Sequence, residues 1–152
     1  MFKKMMLIGF FAISVVSPIS ANPDAYLLRT SFVLGGAPWL YGVSKACMDS
    51  KFSKKSVIPA LIGFGIGIRA GFIIDAKSPK NYSALQTICG VASYASFLST
   101  VSSAGIAAIQ FVKSIGMEDD KAQAARKRSE FSGTVAGASV LAFCASIYGL
   151  RR

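Results

Sequence analysis

The chain has 152 residues, of which 53% are hydrophobic and 16% are charged, whereas an ordinary soluble domain carries about 25% charged residues. Its formal net charge is +10 and it contains no histidine, which excludes imidazole metal sites and any nucleophile that needs a histidine base. Because the basic residues flank apolar segments instead of forming one basic face, the charge indicates a membrane protein and argues against a nucleic-acid partner.

The first 21 residues have the pattern of a secretory signal peptide. Lys3 and Lys4 precede an apolar run over 5–16, and the small residue Ala21 closes the segment. As a helix this run rises only about 18 Å, which is less than the ~30 Å of a hydrocarbon core. We predict cleavage after Ala21, which leaves 22–152 as the mature chain. A retained N-terminal anchor is the alternative.

Four apolar segments follow the signal peptide, at about 26–44, 57–74, 84–115 and 131–150. Each is long enough to cross a bilayer as a helix, and none alternates as a barrel strand does. The sequence therefore predicts an all-α membrane domain with four transmembrane helices. Gly35, Gly36 and Pro38 interrupt the first segment and predict a kink or a re-entrant break there.

The connecting loops differ in charge. Lys and Arg number four in 45–56 and four in 117–130, but only two in 75–83 and two at the C-terminus. Because basic loops stay on the cytoplasmic side, the first two loops are predicted to be cytoplasmic. Both ends of the mature chain then lie on the outer side, which agrees with the signal peptide and predicts a bacterial inner membrane location.

Glycines recur at a spacing of four on two of the predicted helices. Gly63, Gly67 and Gly71 lie on one face of the second helix, and Gly133 and Gly137 repeat the spacing in the fourth. Small residues let helix backbones approach closely in lipid. We predict that the four helices pack through Gly, Ala and Ser faces; a contact between subunits is the alternative use of these faces.

Arg69 is a charged residue inside an apolar segment. It lies six positions before Asp75, which is about 9 Å below the outer end of the helix. Its side chain could snorkel to the interface or bond Asp75. Alternatively, it could face the bundle and bind an anion or a partner's carboxylate.

The sequence lacks the residues that several classes of membrane protein need for their chemistry. No Asp or Glu lies inside any apolar segment, and the three cysteines, Cys47, Cys89 and Cys144, are far apart in sequence. Proton-coupled exporters need an intramembrane carboxylate, and membrane thiol oxidoreductases need paired cysteines. We therefore predict no catalytic residue, no metal site and no cofactor.

These observations predict a non-enzymatic, small integral membrane subunit with a structural or assembly role in a larger complex, such as a secretion or translocation machine. Its partners would be the lipid bilayer and either other membrane subunits or further copies of itself. One alternative is a pore-former or small transporter, with Arg69 and the Ser-rich third helix lining the path. Another is a pilin-like subunit that polymerises.

Overall fold

The computed structural model describes residues 23–77 and 82–150, and side chains over 34–76 and 82–150. The described residues form four helices: α1 (Pro23–Asp49), α2 (Lys54–Lys77), α3 (Ala84–Ile115) and α4 (Asp119–Leu150). No strand occurs among them, so the predicted all-α class is confirmed. The predicted signal peptide lies outside the described residues.

Helix α4 begins twelve residues before the apolar stretch that was predicted to form it. Between Asp119 and Phe131 the sequence has no Gly or Pro, so nothing breaks the helix before it becomes apolar. Asp119 and Asp120 lie in its first turn, where acidic side chains interact favourably with the helix dipole. The polar stretch and the apolar stretch therefore form one helix.

Helix α1 is continuous across the Gly35–Pro38 stretch, with Pro38 inside it. The chain therefore does not make the re-entrant break that this stretch suggests. A proline inside a helix removes one backbone hydrogen bond, and in a membrane neighbouring helices and side chains can compensate for that loss. Pro38 accordingly lies in the part of α1 that packs against other helices.

The four helices form two hairpins, α1 with α2 and α3 with α4. Helix α3 contacts all three other helices, whereas α2 and α4 do not touch within the described residues. The Ser83 side chain accepts a hydrogen bond from the Gln86 N–H at 3.2 Å, and Gln86 accepts one from the Ser83 N–H at 3.0 Å. This capping box fixes the start of the central helix.

The close approach of α1 and α2 depends on glycine. A Cβ atom at Gly63 would lie 2.7 Å from the backbone nitrogen of Trp39, and one at Gly42 would lie 2.9 Å from the backbone nitrogen of Ala60. Real side chains do not approach backbone atoms so closely. Only residues without a Cβ allow the two helices this separation.

The distribution of side chains is the reverse of that in a soluble protein. The largest fully buried side chains are those of Cys47, Ser56, Ser103 and Ser132, whereas Leu141 is 73% exposed and Ile115 is 72% exposed. A water-soluble fold buries its large apolar residues, and an extended exposed apolar surface marks contact with lipid or protein. This inversion fits a protein whose outer surface is solvated by lipid.

By length and composition, three helices could cross a membrane: Lys54–Ala76 of α2, Ala84–Ile115 of α3 and Asp119–Leu150 of α4. This finding supports the predicted membrane location. Within the described residues α1 does not reach the same apolarity, since Arg29, Gly35, Gly36 and Pro38 dilute its apolar residues. The fourth span therefore stays a prediction.

Candidate functional site

The most distinctive internal feature is a buried polar seam along α3. Its members are small hydroxyl or amide residues that recur at helical spacings and face the neighbouring helices: Thr87, Ser93, Ser96, Ser99, Ser102, Ser103, Gln110 and Ser114. These include the serines that the pore interpretation assigned to an aqueous path. In the structure they lie at helix–helix contacts.

The hydroxyl groups of this seam are satisfied mainly by their own helix. Ser93 donates to the Cys89 carbonyl and Ser99 to the Ala95 carbonyl, each at 2.9 Å. Such bonds to the carbonyl four residues earlier leave the hydroxyl without a need for water. The seam therefore offers a small, dry contact surface instead of a polar lining.

Trp39 connects α1 to both neighbouring helices. Its indole nitrogen donates to the Ala95 carbonyl at 3.0 Å and to the Ser99 hydroxyl at 2.7 Å. Its ring lies 5.7 Å from that of Phe64 on α2. About one turn further towards the C-terminal end of both helices, the hydroxyls of Ser44 on α1 and Ser102 on α3 are 2.9 Å apart. These contacts make α1 and α3 parallel neighbours.

The contact between α3 and α4 uses the same residue types. The Ser129 hydroxyl donates to the Ala107 carbonyl at 2.9 Å. Where α4 also meets α1, the Ser132 hydroxyl is buried beside the thiol of Cys47 and makes no hydrogen bond within standard geometry to a described residue. At the opposite end, a Cβ at Gly149 would lie 2.6 Å from the Cys89 sulfur. Small residues thus set the separation of these helices as well.

The predicted glycine row of α2 divides between two neighbours. Gly63 faces α1, whereas a Cβ at Gly67 would lie 3.1 Å from Val91 and one at Gly71 would lie 2.8 Å from Thr87, both on α3. Gly65 faces away, because an added Cβ there meets no described atom within 4 Å. The row therefore lies at the junction of three helices.

Gly133 and Gly137 are in a different environment. A Cβ added at either position meets no described atom within 4 Å. The most apolar part of α4 has no buried residue, whereas a third (33%) of the corresponding part of α3 is buried. The three glycines of α2 and the two glycines of α4 share a spacing of four in the sequence. Among the described residues, however, the α2 row lies on an internal face and the α4 pair on the outer surface.

Arg69 lies apart from the polar seam. Its side chain is exposed on α2 and forms no ion pair with a described residue. The carboxylate of Asp75, which the sequence offered as a partner, accepts a hydrogen bond from Thr87 instead. An unpaired cation within the hydrocarbon costs about 2.5–3.5 kcal/mol at the helix centre on insertion scales. Its position near the helix end makes snorkelling the cheaper solution.

The two basic loops meet at one end of the bundle. Phe52, between α1 and α2, lies 5.4 Å from the ring of Phe131 on α4. Lys45 bonds Asp49 at 2.8 Å; this hydrogen bond, with added attraction from Lys51 and Arg128, lowers the pKa of the Asp49 carboxyl below its ordinary value. The basic residues on which the predicted topology depends therefore share one end.

The described residues contain no cluster of three or more His, Cys, Asp or Glu side chains that could hold a metal ion. Comparison of the chain with protein-family models, curated proteins and solved structures finds no match. The functional interpretation therefore depends on which surfaces pack within the chain and which stay exposed. The sequence alone suggested that Trp39 marks a membrane interface or a helix contact. It did not predict that the Trp39 indole donates hydrogen bonds to α3.

Proposed function

We propose that the protein is a non-enzymatic integral membrane subunit with a structural or assembly role in a larger complex of the bacterial inner membrane, such as a secretion or translocation machine. The observation that carries this proposal is the outward glycine face of α4. A Cβ at Gly133 or Gly137 meets no atom of the described residues within 4 Å, on a helix whose apolar part buries none of its residues. This face is the contact surface that we assign to a neighbouring subunit.

Glycine on a lipid-exposed helix has a physical consequence. Acyl chains solvate a branched apolar side chain well, so lipid contact alone does not call for glycine, which also lowers helix stability by about 1 kcal/mol relative to Ala. A neighbouring helix, in contrast, packs more closely against glycine, and close approach of the two backbones favours helix association in lipid. Large exposed side chains flank the same face, including Leu141 at 73% and Val140 at 44% exposure. They would pack around an approaching helix.

The geometry of the seam favours this role over the pore. Most of the hydrogen-bonded α3 hydroxyls, such as those of Ser93 and Ser99, donate to carbonyls of their own helix. Arg69 is exposed on α2, away from them. An aqueous path needs polar groups that point into one space and are free to replace water. The arrangement instead supports a rigid bundle that presents surfaces to its surroundings.

The test is purification in mild detergent of wild type, Gly137→Ile and a matched control, Gly65→Ile. The control changes a glycine of α2 whose added Cβ likewise meets no described atom within 4 Å. Wild type and Gly65→Ile should elute at a mass above that of one chain, with the same additional subunits or copies. Gly137→Ile should elute as a single chain with an unchanged helical signal. A single-chain wild type, or an assembled Gly137→Ile variant, would contradict the proposal.

A further inference from the structure

Basic residues from two distant segments of the chain come together at one end of the bundle. The rings of Phe52 and Phe131 lie 5.4 Å apart, and both Lys51 and Arg128 attract the carboxyl group of Asp49. Each segment supplies only three exposed cations, whereas polybasic sites on anionic membranes typically hold about four to eight. Together they form a basic cluster of six exposed side chains: Lys51, Lys54, Lys55, Arg126, Lys127 and Arg128.

The contact between the two rings also marks the level at which the surface becomes apolar. Directly after Lys55 the surface of α2 is apolar, with Ile58 exposed, and α4 becomes apolar at Phe131. Both helices could cross a membrane by length and composition. Once these apolar surfaces lie in the hydrocarbon, the cluster lies within about 8 Å of its boundary, at 1.5 Å per residue along each helix. That is the level of the lipid headgroups.

The acidic residues at this end of the bundle leave most of the cluster unneutralised. The carboxylate of Asp49 is bonded to Lys45, and Glu130 offsets one of the six charges. The acidic run at 118–120 lies at least eleven residues before Phe131, which is about 16 Å along the helix and beyond the Debye length of about 8–10 Å. No cation of the cluster forms an ion pair with a described residue. The surface at the headgroup level is therefore strongly positive.

Phe52 lies within the cluster and is 68% exposed. Aromatic rings are favoured at the level of the headgroups, where they contact both hydrocarbon and polar groups. A nucleic acid or an acidic protein would reach the cations from the water and would leave this ring uncovered. A bilayer covers the ring and brings anionic headgroups to the cations at the same depth.

We propose that the basic cluster and Phe52 bind the headgroups of anionic phospholipids in the leaflet on the predicted cytoplasmic side. The protein thereby gathers these lipids around one end of the bundle. This inference goes beyond the assembly role, because no residue of the cluster belongs to the glycine face of α4.

The experiment identifies the lipids next to the cluster with a fluorescent reporter. The reporter protein carries Trp39→Phe and Phe52→Trp; because Trp39 is the only Trp of the chain, its single indole then lies at position 52. It is reconstituted in phosphatidylcholine vesicles that contain increasing fractions of phosphatidylglycerol. Lipids with brominated acyl chains quench the indole when they lie beside it. Quenching by each brominated lipid gives the relative affinity of the adjacent sites for phosphatidylglycerol.

Two double variants of the reporter remove the same charge at different distances from the membrane. Lys54→Gln/Lys55→Gln removes two cations of the cluster. The matched control is Lys113→Gln/Lys121→Gln. Lys121 lies ten residues before Phe131, about 15 Å beyond the apolar boundary, and Lys113 lies in the last turn of α3 near the same tip. The helical signal of every sample is measured, so that a change in lipid preference is separated from misfolding.

The reporter should prefer phosphatidylglycerol, and the preference should weaken as the salt concentration rises. Each basic residue near the surface contributes about fivefold in affinity, so Lys54→Gln/Lys55→Gln should lose most of the preference. The control should change it by less than about twofold, since its charges lie beyond the Debye length.

Three results would overturn the proposal. The first is a reporter without any preference for the anionic lipid, and the second is an equal loss of preference in the two double variants. The third is an indole signal that responds to soluble polyglutamate or to an oligonucleotide but not to phosphatidylglycerol, which would assign the cluster to a soluble acidic partner.

Discussion

The Trp39 indole offers a quantitative test of how the bundle is held together. Trp39→Phe keeps an aromatic ring against Phe64 but removes the donor that bonds the Ala95 carbonyl and the Ser99 hydroxyl. The Ala95 carbonyl keeps a partner, because the Ser99 hydroxyl also donates to it at 2.9 Å. Interhelical hydrogen bonds in membrane proteins contribute about 0.6 kcal/mol on average and up to about 1.7 kcal/mol. We therefore expect a loss of about 1–2 kcal/mol once the missing ring volume is included.

A double-mutant cycle isolates the hydrogen bond from the packing. The cycle combines Trp39→Phe with Ser99→Ala and measures the free energy of unfolding in mixed micelles by circular dichroism. We expect a coupling energy of about 0.5–1.5 kcal/mol. The control cycle pairs Trp39→Phe with Ser102→Ala, whose hydroxyl contacts Ser44 instead; it should show coupling within about 0.3 kcal/mol of zero. Equal coupling in the two cycles would refute the assignment of Trp39 as a specific link between α1 and α3.

Three further predictions concern other parts of the chain. Gly63→Ala should destabilise the bundle by about 1–3 kcal/mol in the same unfolding assay, because its Cβ would displace Trp39, whereas Gly65→Ala should be neutral or stabilise it. Thr87→Val should lower stability by about 1 kcal/mol and increase amide exchange at the end of α2, because the Asp75 carboxylate loses its donor; unchanged exchange there would contradict this. In a background without the native cysteines, Ser78→Cys should react with an impermeant thiol reagent in intact cells and Ser53→Cys should not; the reverse would overturn the topology.

The bounds of a helix could be predicted best where capping residues and the length of the apolar segment indicate the same ends. Helix α3 has its predicted bounds, since Ser83 and Gln86 cap its start and Gly116 lies at its end. The start of α4 was harder to predict, because the change from polar to apolar residues at Phe131 reports where the solvent changes and not where the helix begins. A helix continues through such a boundary unless a Gly, a Pro or a cap ends it.

The use of each glycine could not be predicted from its spacing. Gly67 and Gly137 each lie in a row at intervals of four, and both rows make a helix face that another backbone can approach. Which face is used within the chain depends on where the next helix lies, and that is set by the hairpin pairing of α1 with α2 and of α3 with α4. The spacing of the glycines therefore shows that a helix could pack there. The arrangement of the helices decides whether that helix belongs to the same chain.

The composition of the seam follows from the same physics. In lipid, burying a large apolar side chain gains little, because the hydrocarbon solvates it equally well. Helix association then depends on close approach and good contact, and serine provides a small side chain whose hydroxyl can bond its own helix. Ser103, fully buried, donates to the Ser99 carbonyl one turn earlier, so its contribution to the interface is its size more than its polarity. The many serines of α3, considered alone, favour a water-filled path. The same small residues are also what a helix needs when three other helices pack closely around it.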